Sequence, residues 1–331
     1  MVIAHRGASG YRPEHTRVAF ELAIAQGADA VEPDLVATSD GIVVVRHENE
    51  ISGTTDVASR PEFAHRRTTK FIDGETLDGW FTEDFSWAEL STLRAVERLA
   101  PLRLESAEHS GTQPILRLRD LLRIVAGAGR PIVLVAEIKH PTYFESIGIP
   151  LGRLITDELE SFGFTGADRV IFECFELTAL LELRARAVEG KLVYLIDDRG
   201  CAADSPEVSY EHFVTDEGLA ALARQVDGIS VNKSMLLAGE ALASEASGSD
   251  LVARAHRAGL GVFVWTLRPE NAFLDPRFRR GTVTEFGCWR GEFLALMRLG
   301  VDAVFADHPD LALEARATLV SEASPRPASP W

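Results

Sequence analysis

The 331-residue chain carries 50 acidic against 34 basic residues, a formal net charge of −16, with 46% hydrophobic residues and a mean hydropathy near zero. That balance describes a globular protein with a sizeable core and argues against a nucleic-acid or anionic-membrane surface, which needs clustered Lys and Arg. Three scattered cysteines (Cys174, Cys201, Cys288) read as free thiols in a reduced compartment, no run is long and apolar enough for stable membrane insertion, and a first strand at Val2 leaves no room for a signal peptide, so the expected location is cytoplasmic.

In chain order, short β-rich runs alternate with amphipathic stretches. VIAH precedes a helical pattern in TRVAFELAIAQG, and AVEPDLV follows with GIVVVRH as its hairpin partner. After a long gap come a helix over 117–128, the strand IVLVAEIK, a helix over 151–162, RVIFECF, and a helix over 177–187. LVYLID, a helix over 217–225, GISVN, a helix over 250–258, GVFVWTL, a helix over 291–299 and DAVFAD complete the series. Without the hairpin strand this makes about eight β/α units, each strand too apolar to face water, which predicts a TIM (β/α)8 barrel. One barrel domain is expected over 1–316. Two segments break the repeat: a charged insertion over about 50–114 after strand two, and the polar stretch Asp275–Trp289 after strand seven. Both follow strands and are expected at the C-terminal mouth, where binding loops lie. The Pro/Ser-rich end, 317–331, reads as a disordered tail.

Charged residues recur at the C-terminal ends of the apolar runs. His5 ends strand one, Glu32 and Asp34 flank Pro33 on strand two, His47 ends the hairpin strand, and Glu137 and Lys139 end strand three. An i, i+2 spacing on an extended backbone directs both side chains to one face. Pro33, lacking an N–H, marks a strand end or broken ladder. Glu32, Asp34 and Glu137 offer hard oxygens for one divalent ion, Ca²⁺ or Mg²⁺. Arg6 and Lys139 suit phosphate oxygens, and two imidazoles on separate elements suit a general acid and base. Together they point to metal-assisted phosphoryl transfer. Thr16 is the expected N-cap of the first helix. Read singly, His5 and His47 could be strand-end residues and Lys139 the ion-pair partner of Glu137. His65, His109, His140 and His256 follow no pattern and read as loop or surface residues.

HRGASGYRPEHT, EPDL, RHENEISGTTDV, EIK, VWT and GVDAVFADHPD, in that order and spacing, resemble the glycerophosphodiester phosphodiesterase family from Val2 to about Leu311. The resemblance implies a TIM barrel that hydrolyses small glycerophosphodiesters to glycerol 3-phosphate and an alcohol. It implies His5 and His47 as catalytic histidines, Glu32, Asp34 and Glu137 as metal ligands, Arg6 and Lys139 on phosphate, and Trp265 near the glycerol. The chain departs from the family at His15, at Glu48, and at Phe172-Glu173-Cys174-Phe175, where Gln-Ser-Phe is frequent; a carboxylate at 173 bears on metal or substrate preference. Rival readings are a lysophospholipase D-type or sphingomyelinase D-type enzyme with an apolar mouth, for which Trp80, Phe81, Phe85 and Trp87 are the candidates, a non-catalytic phosphate-ester binding barrel, and a metal-dependent sugar isomerase.

Overall fold

The computed structural model describes residues 1–237 and 248–323. Its strands are β1 (Val2–His5), β2 (Ala30–Glu32), β3 (Asp34–Ala37), β4 (Val43–Val45), β5 (Thr68–Ile72), β6 (Glu75–Gly79), β7 (Val133–Ile138), β8 (Val170–Cys174), β9 (Lys191–Ile196), β10 (Gly228–Asn232), β11 (Gly261–Leu267) and β12 (Ala303–Ala306). A parallel barrel closes in the order β1, β2/β3, β7, β8, β9, β10, β11, β12 and back to β1. The second barrel position is two pieces. Pro33 offers no N–H, so β2 pairs with β1 and β7, while β3 pairs with β7 and takes β4 as an antiparallel partner.

Period-two alternation along each strand builds the site. Ile3, Ala30, Val135, Ile171, Val193, Phe263, Ala303 and Phe305 point inward and form a closed apolar plug. Two residues later on those strands stand His5, Glu32, Glu137, Glu173, Leu195 and Trp265, with Asp307 just beyond β12, so a largely polar layer sits on the plug at the C-terminal end. The alternate side chains face outward into the main core under the helices. Helix Leu118–Ala126 shows why: Leu118, Leu121, Leu122 and Val125 recur at helical spacing and are buried, whereas Arg123 is exposed. Truncating Leu121 to Ala would cost roughly 2–5 kcal/mol.

The first helix, Arg17–Gln26, starts where Thr16 accepts from the amide of Ala19 and ends at Gly27 with φ +98°. The chain does not end its order at 316. Helix Pro309–Ala323 runs through 317–323, because no Gly or Pro interrupts LALEARATLVSEA, and it buries Ala312 and Ala315. The rest of the expected tail lies outside the described residues.

The insertion folds on its own aromatic residues. Phe63 and Phe85 meet edge to face at 5.1 Å, Arg66 lies over Phe85, and Trp80 Nε1 donates to the Phe63 carbonyl at 2.7 Å. Trp80, Phe81 and Phe85 are buried and Trp87 is partly covered by Arg117, so the aromatics proposed for a lipid-binding mouth serve packing instead. Strands β5 and β6 form a hairpin about Asp73-Gly74, both at positive φ. No helix among the described residues is long and apolar enough to cross a membrane. All three cysteines are free, Cys174 buried and the other two exposed.

Candidate active site

A cavity of about 420 Å³ opens on the polar layer and is lined by His5, Arg6, Glu32, His47, Glu137, Lys139 and Trp265, among others. Of the eight residues singled out from the sequence, only Asp34 is absent from the wall. It lies directly behind, fully buried.

Glu32, Asp34 and Glu137 each present an oxygen within 4.8 Å of the others. The register explains this, since Glu32 sits beside His5 and Asp34 beside Glu137 on neighbouring strands. Burial and the surrounding carboxylates push Glu32 and Glu137 above the ordinary carboxylate range. Burial would raise Asp34 as well, but Arg6, His47 and Lys139 hold it well below. Glu32 Oε1 and Asp34 Oδ1 are buried and accept no hydrogen bond among the described residues; the Lys139 ammonium is 3.8 Å from Asp34 Oδ1. Three crowded hard oxygens with unused lone pairs fit a divalent ion.

Arg6 and His15 both adopt φ +62°, and Gly7 φ +85° folds the chain so tightly that a Cβ there would lie 2.7 Å from the Ala19 carbonyl carbon. This turn brings the Arg6 guanidinium 3.1 Å from both Glu14 and Asp34, while its amide donates to Glu32 at 2.8 Å. Burial opposes the charge of Arg6, yet Glu14 and Asp34 raise its pKa above the ordinary value. His15 Nε2 lies 2.8 Å from Asp34 Oδ2, the same oxygen that Arg6 Nε approaches, which gives it a place behind the site. Lys139 Nζ bonds Glu137 at 2.8 Å, the expected ion pair, and the side chain also lines the cavity.

Each imidazole on the wall is oriented by a carboxylate. His5 Nδ1 lies 2.6 Å from Asp307, and His47 Nδ1 lies 2.9 Å from Glu48. Burial, then the charge of Arg6, lowers His5 to about 3 and His47 to about 4, with Lys139 adding to the effect on His47. Asp307 also takes Arg103 Nη2 at 2.6 Å and Arg268 Nε at 2.7 Å, and Arg103 continues to Glu270 at 2.7 Å. Glu48 continues to His140 at 2.8 Å, and His140 to Asp73 on the insertion hairpin. His140 lies in the loop after β7, as expected of it, yet its side chain is only 14% exposed and bridges the two carboxylates. Asp307 and Arg103 escaped sequence reasoning. Asp307 carried a signal, a carboxylate closing the apolar run AVFA; Arg103 carried none. Trp265 lines the cavity and donates Nε1 to the Ser230 carbonyl at 3.2 Å.

The model of the glycerophosphoryl diester phosphodiesterase family matches residues 5–311. A glycerophosphodiester phosphodiesterase of Arabidopsis thaliana is 31% identical over 92% of this chain and 82% of its own. One from Haemophilus influenzae is 26% identical over 95% and 89%. Among solved structures, an Oleispira antarctica phosphodiesterase in complex with the product sn-glycerol-3-phosphate superposes with a TM-score of 0.62 at 21% identity, covering 96% of both chains. A glycerophosphodiester phosphodiesterase from Thermotoga maritima gives 0.55 at 20% identity, covering 95% of this chain and 96% of its own.

Proposed function

This chain belongs to the glycerophosphoryl diester phosphodiesterase family and is a phosphoric diester hydrolase, and we propose that it cleaves small glycerophosphodiesters to glycerol 3-phosphate and an alcohol through His5, His47 and a carboxylate-held ion. The observation that carries this reading is the convergence of two carboxylate-oriented imidazoles, two cations and three clustered carboxylates on one cavity. The product bound by the Oleispira antarctica relative supports the choice of glycerol diester.

Glu32, Asp34 and Glu137 would hold a divalent ion, which when bound would supply positive charge against the phosphate and acidify a neighbouring hydroxyl. Arg6 and Lys139, both on the wall, hold the remaining phosphate oxygens. Asp307 accepts from His5 Nδ1–H, which leaves Nε2 unprotonated and facing the cavity, the form a general base needs. His5 takes the proton of the attacking hydroxyl, from water or from the glycerol itself, as it attacks phosphorus in line. His47, the more open imidazole, gives a proton to the departing alcohol; the anionic phosphodiester offsets the Arg6 and Lys139 charges that otherwise lower its pKa. Where the attacking hydroxyl is the glycerol's own, the cyclic phosphate so formed is then opened by water, with His47 taking the water proton and His5 returning its proton to the glycerol oxygen. Trp265 packs on the carbon frame of the glycerol.

Release of glycerol 3-phosphate from glycerophosphocholine and glycerophosphoethanolamine tests the proposal, with Ca²⁺, Mg²⁺ or EDTA and beside His47→Ala. Metal-dependent release, lost in EDTA and reduced ~10²-fold or more in the variant, is expected. Undiminished turnover in EDTA would remove the ion from the reading, and undiminished turnover in His47→Ala would remove the acid.

A further inference from the structure

One inward carboxyl has no assigned task. Glu173 ends β8 in register with Glu137, so the two stand on neighbouring strands and point to the same face. It is 1% exposed, lies on the cavity wall, and its Oε2 is buried without a hydrogen-bond partner among the described residues. Its other flank is apolar, with Ile171 two residues earlier and Val193 beside it in register. Lys139, just past the end of β7, gives its hydrogen bond to Glu137. A buried carboxylate without a partner is strongly disfavoured, so Glu173 stays neutral unless a positive charge meets it from the cavity side, the only side open to one. The three clustered oxygens are those of Glu32, Asp34 and Glu137, which sets Glu173 one step outside them.

We propose that Glu173 is a fourth carboxylate of the ion site, acting on the ion's hydration shell, and that this set makes the site selective for Ca²⁺ over Mg²⁺. The proposal rests on the reading of Glu32, Asp34 and Glu137 as ion ligands. Ca²⁺ accepts six to eight oxygens in adaptable geometry, whereas Mg²⁺ keeps several waters and commonly takes one or two carboxylates. A carboxylate beyond the direct ligands orients those waters and raises affinity, and its loss typically weakens binding ~10–100-fold.

Calorimetric titration of substrate-free protein with Ca²⁺ and with Mg²⁺, in wild type and E173Q, tests this, together with melting curves with and without ion. Wild type should bind Ca²⁺ more tightly than Mg²⁺. E173Q should lose ~10–100-fold in Ca²⁺ affinity and less for Mg²⁺, and should melt higher than wild type when both are ion-free. Glu173→Asp, with the charge kept and the reach shortened, should fall between. Equal Ca²⁺ affinity in E173Q and wild type, or a wild type that prefers Mg²⁺, overturns the proposal. A wild type that binds neither ion overturns the ion ligands themselves, an outcome distinct from failure at Glu173 alone.

Discussion

Replacing Asp307 by Asn probes the buried carboxylate that joins His5 to two arginines. Asp307 is 2% exposed and takes His5, Arg103 and Arg268 at 2.6, 2.6 and 2.7 Å. Burial would raise its pKa, but Arg268 and Arg103 hold it well below the carboxylate range, so the charge is present throughout the working pH. Removing one member of such a buried set costs about 3–5 kcal/mol. Arg103 keeps Glu270 and the Arg268 side chain is 20% exposed, so the low end applies, about 3 kcal/mol. In a chain of this size that lowers Tm by roughly 4 °C. The two guanidinium groups require an oxygen, so the Asn amide turns its NH₂ toward His5 and reverses the imidazole tautomer. Nε2 then carries the proton and cannot act as base. The expected loss is ~10²–10⁴ in kcat with KM nearly unchanged, since Asp307 is not on the cavity wall. Steady-state release of glycerol 3-phosphate, beside a melting curve, measures both quantities. A folded variant with wild-type kcat, or one whose loss lies wholly in KM, would refute the tautomer argument.

Other outcomes follow from separate features. His140 is lowered by burial but raised more by its bonds to Asp73 and Glu48, to about 9. Its stabilising contribution is therefore complete below its unfolded pKa of about 6.5 and disappears as pH rises through about 9. The Tm gap between wild type and His140→Gln should be widest near pH 6 and close above pH 9; a gap that widens with pH contradicts the assignment. A Cβ at Gly10 would lie 2.0–2.4 Å from three atoms of the buried His308 ring, so Gly10→Ala should destabilise by ~1–3 kcal/mol in denaturant unfolding. Gly53→Ala, with nothing within 4 Å, should match wild type. Chelation should lower Tm as well as stop turnover, because Glu32, Asp34 and Glu137 then face one another without a cation; an unchanged melting curve in EDTA would argue against ion ligation.

Much of the site was legible because barrel geometry turns a local pattern into a global position. Apolar runs closing in charge, with side chains alternating along extended backbone, placed His5, Glu32 and Glu137 in one layer without any knowledge of loops. Asp307 obeys the same rule just past the last strand and carried the same signal, although it was not singled out. Arg103 and His140 were not, for a physical reason. Each works through a contact between distant segments, Arg103 reaching Asp307 across 204 positions and His140 reaching Asp73 across 67, and no local periodicity encodes such pairings. The β5–β6 hairpin carried a short-range signal in Asp73-Gly74 between two β-favouring runs. The aromatic residues of the insertion, interleaved with carboxylates, favoured a soluble substrate over a lipid-binding mouth, but whether they pack inward or meet a ligand was not encoded locally; they pack.

The bond between His5 and Asp307 also has a meaning for synthesis. It joins positions 302 apart, the first strand of the barrel to the turn after its last. At about 5–20 residues per second a ribosome needs roughly 15–60 s to travel between them. Throughout that interval the nascent chain holds an imidazole with no carboxylate to orient it and a barrel that cannot close. On the proposed role of His5, catalytic competence arrives last, and turnover by a chain still tethered to the ribosome reports that its final strand has been threaded into place.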